Sequence, residues 1–236
     1  MTDGRLLNDL AEHNGSDKSS GPGNNAYMGL YWEYFKRHGF TRENVRHVLE
    51  IGTNKGASLR TWAEFFPNAR ICGLDITRMY EIPKLLDHEN IHTAIVDQGD
   101  GNALFDYAIG EEVMVNPDGF DIIIDDGSHD QAHQQISWGV LFGFLRRGGL
   151  YVIEDIITGE NWWDGNLYNK SRIIPTRAIV QTLEQTGKLE SPVMKDYEIK
   201  HIVDCYSYCE YRESPVTIFQ SHHPQLAFIG KSPHVN

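Results

Sequence analysis

The sequence predicts an α/β fold in which helices cover both faces of a central, mostly parallel sheet that ends in an antiparallel hairpin. The first observation is that short apolar runs alternate with segments of helical periodicity between residues 45 and 153. Such alternation is typical of right-handed βαβ units around a parallel sheet. The second observation is that two β-rich stretches near the C-terminus flank Ser221-His222-His223-Pro224-Gln225. Two such stretches around a turn-forming segment predict a hairpin.

Each element is predicted from its local pattern. Short apolar runs bounded by turn signals predict buried strands at Val45–Ile51, Arg70–Asp75, Ile91–Val96, Phe120–Asp125 and Leu150–Ile153. Helical spacing predicts helices at Met28–His38, Ala57–Phe66, Met79–Asp87, Asn102–Ile109, Asp130–Leu145 and Thr176–Thr186. The hairpin strands are predicted at Val216–Gln220 and Leu226–Ile229. Residues 14 to 25 are rich in turn formers and predict a mobile loop.

Composition narrows the class of protein. The chain has 236 residues, a formal net charge of −12 and 40% hydrophobic residues. Its lysines and arginines form no cluster, which argues against a nucleic-acid partner because phosphate contacts need a basic face. The sequence has no apolar run as long as a membrane span and no signal-peptide pattern. The cysteines Cys72, Cys205 and Cys209 lack a zinc-type spacing. We therefore expect a cytoplasmic protein without a membrane or nucleic-acid partner.

A glycine pair lies at the first predicted strand-to-helix turn, Glu50 to Ser58. Gly52 and Gly56 allow a ligand to approach the backbone, and the helix that follows offers free N–H groups. The spacing differs from the dinucleotide-binding G-x-G-x-x-G, and a purely structural turn is an equal alternative. Asp75 and Asp97 end the next two strands, where carboxylates can meet a ribose and an adenine. Acids at successive strand ends favour an adenosine-containing ligand.

Two later apolar runs end abruptly in carboxylates. Ile122-Ile123-Ile124 leads into Asp125-Asp126-Gly127-Ser128-His129, and Val152-Ile153 leads into Glu154-Asp155. Ligands of open α/β sheets bind beyond the carboxyl ends of the strands, so these side chains are expected to share one edge. Carboxylate oxygens are the ligands that Mg²⁺ prefers. The pair of motifs therefore indicates a metal-assisted reaction.

The motifs together resemble a known family, the metal-dependent sugar O-methyltransferases of natural-product biosynthesis, of the mycinamicin and tetracenomycin-rhamnose types. Gly15-Ser16-Asp17-Lys18 is similar to that family's Gly-Thr-Asp-Lys. The other matching segments are Glu50-Ile51-Gly52-x-x-x-Gly56, Gly73-Leu74-Asp75, Asp97-Gln98, Ile124-Asp125-Asp126-Gly127-Ser128-His129 and Tyr151-Val152-Ile153-Glu154-Asp155. The resemblance spans roughly residues 13 to 160 and is most specific at Asp-Asp-Gly-Ser-His.

The resemblance implies a Rossmann-like class I methyltransferase that uses S-adenosyl-L-methionine and Mg²⁺ to methylate a hydroxyl of a sugar or glycosylated small molecule. It implies Asp126, Glu154 and Asp155 as metal ligands, with Asp126 and His129 in catalysis. The cofactor-binding residues that we predict are Lys18, Tyr27, Glu50, Gly52, Gly56, Ser58, Asp75, Asp97, Gln98 and Asp125. Residues 1–40 are expected to form a helical and loop extension that closes the site of a methyltransferase domain at 41–236.

The chemistry expected of these residues follows from the weak nucleophilicity of a sugar hydroxyl. A divalent cation on the hydroxyl oxygen lowers its pKa and orients the substrate, and a neutral imidazole takes the proton. We predict that Ser128 caps the following helix and that the positive end of the helix dipole keeps His129 neutral. A surface histidine is the alternative for His129. His133, one turn further on, is expected to pack or support the site.

Several points stay open on sequence alone. Asp125 either orients the cofactor's amino group or holds its loop. Trp162 and Trp163 either stack on the substrate or pin their loop. The alternative functions are a partner enzyme of cephamycin-type methoxylation and a non-catalytic adenosine-binding module. A non-catalytic module is disfavoured because the chain retains the whole set of candidate site residues together: Gly52, Gly56, Asp75, Asp126, His129, Glu154 and Asp155. The acceptor and any self-association into a homo-oligomer are also open.

Overall fold

The central sheet of the chain has seven strands in a computed structural model that describes residues 2–77, 88–114, 116–156, 173–216 and 224–234. The strands are β1 (His47–Ile51), β2 (Arg70–Asp75), β3 (Ile91–Ile95), β4 (Phe120–Asp125), β5 (Leu145–Ile153), β6 (Tyr206–Glu213) and β7 (Gln225–Lys231). Their order is β3-β2-β1-β4-β5-β7-β6. Strands β1 to β5 pair in parallel, and β7 runs antiparallel to both β5 and β6. The predicted fold class is confirmed.

Helices cover both faces of this sheet. They are α1 (Asp3–Asn14), α2 (Met28–Arg37), α3 (Ala57–Phe65), α4 (Gly101–Met114), α5 (Gln131–Leu141), α6 (Thr176–Thr186) and α7 (Asp196–Cys205). Successive side chains of a strand point to opposite faces of the sheet, and each face packs on its own hydrophobic core. Each strand therefore contributes side chains to both cores. Val48 and Ile122 pack with α1, α2 and α3, whereas Leu49 and Ile123 pack with α4 to α7.

The strand register brings the candidate carboxylates to one edge. Ile51 at the end of β1 pairs with Asp125 at the end of β4, and Asp125 pairs with Ile153 at the end of β5. The ladder continues past the strands, because Asp126 N donates to Ile51 O at 3.0 Å and Glu154 N donates to Asp125 O at 2.8 Å. The backbone itself therefore fixes where Asp126, Glu154 and Asp155 leave the sheet.

The start of α5 corrects the predicted helix cap. Asp130, rather than Ser128, is the N-cap, since its side chain accepts hydrogen bonds from the backbone N–H groups of Ala132 and His133. An aspartate at this position satisfies two of the free N–H groups of the first turn. His129 therefore precedes the helix by one residue more than the sequence predicts.

The predicted helix Asp130–Leu145 is also too long. Helix α5 ends at Leu141, a 3₁₀ turn covers Phe142–Phe144, and β5 already begins at Leu145. Leu145 pairs with Phe120 of β4, and the register shifts before Leu150 takes up the regular ladder. This extra pairing, which lies on the far side of Gly148 and Gly149, lengthens β5 beyond the predicted Leu150–Ile153.

The hairpin is confirmed, but its first strand is wrong. The partner of β7 is β6, Tyr206–Glu213, and not Val216–Gln220, of which residues 217–220 lie outside the described residues. β6 mixes tyrosines with polar residues and is mostly half-buried, as suits a strand at the edge of the sheet. Helices α1 and α7 were not predicted. The predicted helix Met79–Asp87 and the residues Trp162 and Trp163 also lie outside the described ranges.

The N-terminal segment packs as an ordered part of the fold. Leu7 and Ala11 of α1 are fully buried one turn apart, and the helix ends at Gly15, whose φ of 75° suits a left-handed cap. Tyr31 and Phe35 of α2 are buried against the same core. Among the helices of the described ranges, none is long and apolar enough to cross a bilayer.

Burial of His47 at the start of β1 predicts that this one residue contributes less to stability in acid. Its side chain is 1% exposed, and burial lowers the pKa of the imidazole, in spite of the nearby Glu111 carboxylate. A histidine with a lowered pKa binds fewer protons in the folded than in the unfolded state. Its contribution to stability is therefore present above the unfolded pKa of about 6.5 and is lost as the pH falls below it.

We expect acidification from about pH 7.5 to about pH 5.5 to shift the free energy of unfolding, measured by urea denaturation, in favour of His47→Gln relative to the unsubstituted protein. Glutamine has no proton to bind in this range, and all other titrating groups are the same in both proteins. The same slope in both proteins would contradict a role of His47 in the acid sensitivity.

Candidate active site

The carboxyl edge of β1, β4 and β5 carries a group of side chains that could hold a cation. Ligand atoms of Asp126, His129 and Asp155 all lie within 4.8 Å of one another. The three side chains are 20%, 27% and 26% exposed, so solvent reaches them. His129 Nε2 lies 3.8 Å from Asp155 Oδ2. His129 Nδ1 is buried and has no hydrogen-bond partner among the described residues.

Backbone conformation at this edge is unusual. His129 and Asp155 have φ values of 57° and 50°, in the left-handed region that non-glycine residues rarely adopt. Such a conformation costs on the order of 1–3 kcal/mol per residue and persists only where the surroundings impose it. Both residues lie directly beyond strands that the sheet holds in register. The backbone strain is therefore located at His129 and Asp155, the two residues whose side chains face each other in the cluster.

Glu154 lies deeper than its neighbours. It is 1% exposed, its Oε2 accepts a hydrogen bond from Lys18 Nζ at 2.8 Å, and its Oε1 accepts one from the hydroxyl of Tyr31. Burial raises the pKa of Glu154, and the Lys18 ammonium opposes that shift. The carboxylate therefore anchors two side chains of the N-terminal segment.

Lys18 is buried among acidic side chains. Its Nζ donates to Asp126 Oδ2 and to Glu154, and lies 3.7 Å from Glu50 Oε1. Burial opposes the charge on Lys18, but the carboxylates of Asp126, Glu154 and Glu50 outweigh burial and raise the pKa of the ammonium well above its ordinary value. A contact of Lys18 with a cofactor carboxylate stays a prediction, since the ammonium is held here by acids of the chain itself.

Tyr27 completes the N-terminal contacts with the edge. Its hydroxyl donates to Asp155 Oδ1, and the side chain is fully buried. Burial, followed by the Asp155 carboxylate, raises the pKa of Tyr27 far above its ordinary value. Tyr27 therefore stays protonated and holds Asp155, and its predicted contact with the cofactor stays a prediction.

The donor set fits a hard divalent cation. Asp126 and Asp155 present carboxylate oxygens within a few ångströms of each other, and oxygen ligands are those that Mg²⁺ prefers. Each carboxylate has about four lone-pair positions, so a carboxylate that already accepts a hydrogen bond from Lys18 or Tyr27 can still bind a cation. The chemistry of these side chains therefore fits two of the predicted metal ligands, Asp126 and Asp155, and a ligand role of the buried Glu154 stays a prediction.

A groove beside the acidic cluster is lined by predicted cofactor residues. Gly52, Asp75, Asp97 and Gln98 all line it. Asp75 Oδ2 accepts hydrogen bonds from the backbone N–H groups of Thr53 and Asn54 at 3.0 and 3.1 Å, so this carboxylate also fixes the glycine turn. The structure thus brings these four residues together, and their contacts with a cofactor stay predictions.

Glu50 and Ser58 lie beneath the glycine turn. Glu50 is fully buried, and its carboxylate accepts hydrogen bonds from Trp62 Nε1 at 2.8 Å and from Ser58. Burial raises the pKa of Glu50 to about 7, although Lys18 lowers it in part. Both side chains support the turn from within the fold, and direct cofactor contact by either one stays a prediction.

The structure supports loop holding for Asp125, one of the two roles that sequence left open. Its side chain is 1% exposed, accepts a hydrogen bond from Gln98 Nε2 at 2.7 Å, and accepts another from the hydroxyl of Ser137. Gln98 Oε1 in turn accepts from Ser128 N at 2.9 Å. Burial raises the pKa of Asp125 to about 6. Asp125 and Gln98 together therefore position the loop that carries His129.

The sequence-based analysis missed several supporting residues. Tyr31 was recognised only as an apolar helix position, although its hydroxyl binds Glu154. Gln134 Nε2 donates to Glu154 O at 3.1 Å from within α5. His133, in contrast, was expected to pack or support the site, and it lines the cofactor groove, where its Nδ1 lies 2.9 Å from Ser128 Oγ. Polar residues on buried helix faces were the available signal, but local spacing alone does not say what they contact.

Gly52 shows why the turn requires glycine. Its φ is 88°, and a Cβ atom at this position would lie 1.9 Å from the backbone oxygen of Asp126. The absent side chain therefore lets the glycine turn pack directly on the loop that carries the acidic cluster. Gly56, with φ of 70°, is the N-cap of α3 and favours glycine for its backbone conformation.

Comparison with known proteins identifies the class of this chain. No protein-family model matches it. It resembles the mycinamicin VI 2''-O-methyltransferase of Micromonospora griseorubida, with 39% identity over 147 residues, which are 58% of this chain and 34% of that enzyme. It also resembles the 8-demethyl-8-alpha-L-rhamnosyl tetracenomycin-C 2'-O-methyltransferase of Streptomyces olivaceus, with 30% identity over 240 residues, 94% of this chain and 53% of that enzyme.

A solved structure gives the same result. The MycE methyltransferase of the mycinamycin biosynthetic pathway, in complex with Mg and SAH, superposes with a TM-score of 0.67 and 27% identity, over 96% of this chain and 54% of that one. The chain therefore has the class I methyltransferase fold. It is homologous to natural-product sugar O-methyltransferases, which confirms the predicted resemblance. It spans about a third to a half of the length of these relatives.

The contact between Gly52 and Asp126 yields a stability prediction. We expect Gly52→Ala to lower the free energy of unfolding by several kcal/mol, since the Asp126 backbone must move. Gly39→Ala is the matched control, because Gly39 has φ of 67° but no atom within 4 Å of a Cβ. It should lose only about 1 kcal/mol. Both losses are measured by urea denaturation. Equal losses in the two variants would show that the contact with the Asp126 backbone is not the reason why position 52 requires glycine.

Proposed function

We propose that this chain is an S-adenosyl-L-methionine- and Mg²⁺-dependent O-methyltransferase that acts on a hydroxyl of a sugar or glycosylated small molecule. The observation that carries the proposal is the meeting of Asp126, His129 and Asp155 within 4.8 Å at the carboxyl edge of the sheet, beside the groove of Gly52 and Asp75. A methyl donor in the groove and an acceptor hydroxyl at the cluster would then be neighbours. Homologues named as sugar O-methyltransferases support the substrate class.

His129 is the proposed general base. In the transfer, the acceptor oxygen forms a bond to the sulfonium methyl carbon while the carbon–sulfur bond breaks and its electron pair goes to sulfur. The hydroxyl proton goes to the His129 imidazole, whose Nε2 faces Asp155. Because Nδ1 is buried, Nε2 is the ring nitrogen proposed to take the proton. Asp155 would stabilise the imidazolium that forms.

Asp126, Glu154 and Asp155 would hold the cation. When bound, Mg²⁺ acts as a Lewis acid that lowers the pKa of an alcohol and orients it. The strand register supplies the rigidity, because Asp126 N and Glu154 N are both hydrogen-bonded to the neighbouring strand. The protein thereby contributes positioning, which is what an already activated methyl donor requires.

The cofactor would occupy the groove beyond β1, β2 and β3. Asp75 is proposed to accept the ribose hydroxyls, and Asp97 and Gln98 to lie next to the adenine. Asp97 is exposed in the groove, whereas Gln98 is 5% exposed and hydrogen-bonded to Asp125. Gly52 and Gly56 would let the backbone approach the methionine part of the cofactor.

Residues 1–40 are proposed to close this site over the catalytic domain at 41–236. Lys18, Tyr27 and Tyr31 each contact a carboxylate at the sheet edge. Excluding water on that side would strengthen the electrostatic interactions within the site. Closure by this segment explains why Lys18, Tyr27 and Tyr31, which precede β1, lie against the residues that follow β5.

The assignment of the general base is tested by His129→Ala. Methyl transfer to a panel of glycosides should lose about a hundredfold or more in kcat, since a positioned base contributes about 10² to 10⁴. The affinity for S-adenosyl-L-methionine, measured by calorimetry, should change little. The exposed His234 is the matched control, and His234→Ala should be fully active. Full activity of His129→Ala would remove His129 from the mechanism.

Metal dependence is tested by chelation. EDTA should abolish methyl transfer and Mg²⁺ should restore it, because the acceptor hydroxyl would otherwise keep an alcohol's high pKa. Asp155→Asn should raise the Mg²⁺ concentration needed for half-maximal rate by about tenfold or more. Asp118→Asn, an exposed acid just before β4 at the opposite edge, is the control. Transfer indifferent to EDTA would overturn the metal assignment.

A further inference from the structure

We propose that Lys18 is a fixed counter-ion of the acidic cluster that shares Asp126 and Glu154 with the divalent cation, holds the cluster assembled before the cation binds, and weakens cation binding. This inference rests on the proposed function for the identity of the cation. It goes beyond that function because it assigns control of the cation affinity to Lys18, which is not itself a ligand.

The contacts of the ammonium carry this inference. Lys18 is 1% exposed, its Nζ bonds to Asp126 Oδ2, and it lies 2.8 Å from Glu154 Oε2 and 3.7 Å from Glu50 Oε1. Two of these carboxylates belong to the proposed ligand set. A positive charge bonded to the ligands of a cation lies within a few ångströms of that cation. Like charges at such a distance repel each other, so the ammonium opposes binding of the cation.

Both the backbone and the side chain of Lys18 are held in place. Met28 N donates to Lys18 O at 3.1 Å, and Asn25 N donates to Asp17 O at 2.6 Å. These bonds tie the turn of residues 16–28 to the start of α2, whose Tyr31 also binds Glu154. The side chain of Lys18 is 1% exposed and ends in its bonds to Asp126 and Glu154. The ammonium is therefore a built part of the site.

Removing this charge should have two effects of opposite sign. The carboxylates lose their internal partner, and a buried pair with one member removed is strongly destabilised. The same carboxylates then attract an external cation more strongly, because no ammonium opposes it. A residue with only a structural role would give a single effect, in which the variant is both less stable and a poorer cation binder.

The test is calorimetric titration of Mg²⁺ into the unsubstituted protein, Lys18→Met and Lys36→Met. Methionine keeps an unbranched apolar chain without the charge. Lys36 is an exposed lysine of α2 whose ammonium lies over the Trp32 ring, so its loss controls for net charge. We expect the Mg²⁺ dissociation constant to decrease about tenfold in Lys18→Met and to stay unchanged in Lys36→Met. An equal or higher constant in Lys18→Met would overturn the inference.

Hydrogen exchange of the unsubstituted protein tests pre-assembly without any variant. The amides of Asn25, Met28 and Tyr31 should be protected to the same degree, within about threefold, with and without Mg²⁺, since Lys18 already holds the segment. Protection that arises only on adding Mg²⁺ would contradict pre-assembly. This measurement decides the matter even where Lys18→Met fails to fold.

The two proposals fail in different ways. If neither the unsubstituted protein nor Lys18→Met binds Mg²⁺ at millimolar concentrations, the proposed metal-dependent function fails. The proposal that Lys18 shares ligands with the cation then fails with it. If both bind with the same constant, only the role of Lys18 fails. If binding is measurable in Lys18→Met alone, the inference is supported in its strongest form.

Discussion

The meeting of acidic side chains around one buried ammonium at the carboxyl edge of the sheet is the interaction on which the site depends. Each acid that leaves water needs a partner, because an unpaired buried charge costs several kcal/mol. Lys18 supplies the positive charge, and Tyr27 and Tyr31 supply hydroxyl donors. The N-terminal segment therefore packs against the sheet through the chemistry of the site as well as through its apolar side chains.

The sheet tolerates strain at this edge because its interior is rigid. β1, β4 and β5 are held in register by parallel ladders, with apolar side chains on both faces. Such a support can hold His129 and Asp155 in left-handed conformations and let Gly52 touch the Asp126 backbone. Positions near a strand end are fixed more closely than positions on a long loop, which suits a reaction that depends on geometry.

The parts of the fold that could be predicted from sequence are those with a local signal. Apolar runs that end in acids marked β2, β4 and β5, and parallel pairing then placed those ends on one edge. The contact of Lys18 with Asp126 joins residues 108 positions apart, and no periodic pattern encodes it. The hairpin was assigned to the wrong first strand, because the mixed polar and aromatic pattern of β6 is a weaker signal than an apolar run.

Site residues show the same limit. Asp75, Asp97 and Gln98 were predicted from strand ends and do line one groove. For Asp125, sequence could not choose between cofactor and loop, since adjacent residues at a strand end point opposite ways and only the packing of Ser137 and Gln98 decides. Ser128 looked like a helix cap, but α5 begins later, and the Asp130 carboxylate accepts from the N–H groups of Ala132 and His133 in its first turn.

The central claim is that the acidic edge of the sheet binds a divalent cation. Its most direct test is a crystal structure grown with Mn²⁺ in place of Mg²⁺, with the metal located by its anomalous scattering. The account predicts one Mn²⁺ at the edge, bonded to oxygens of Asp126, Glu154 and Asp155, with the Lys18 ammonium beside these ligands. Strong Mn²⁺ density elsewhere in the protein, with none at this edge at millimolar Mn²⁺, would contradict it.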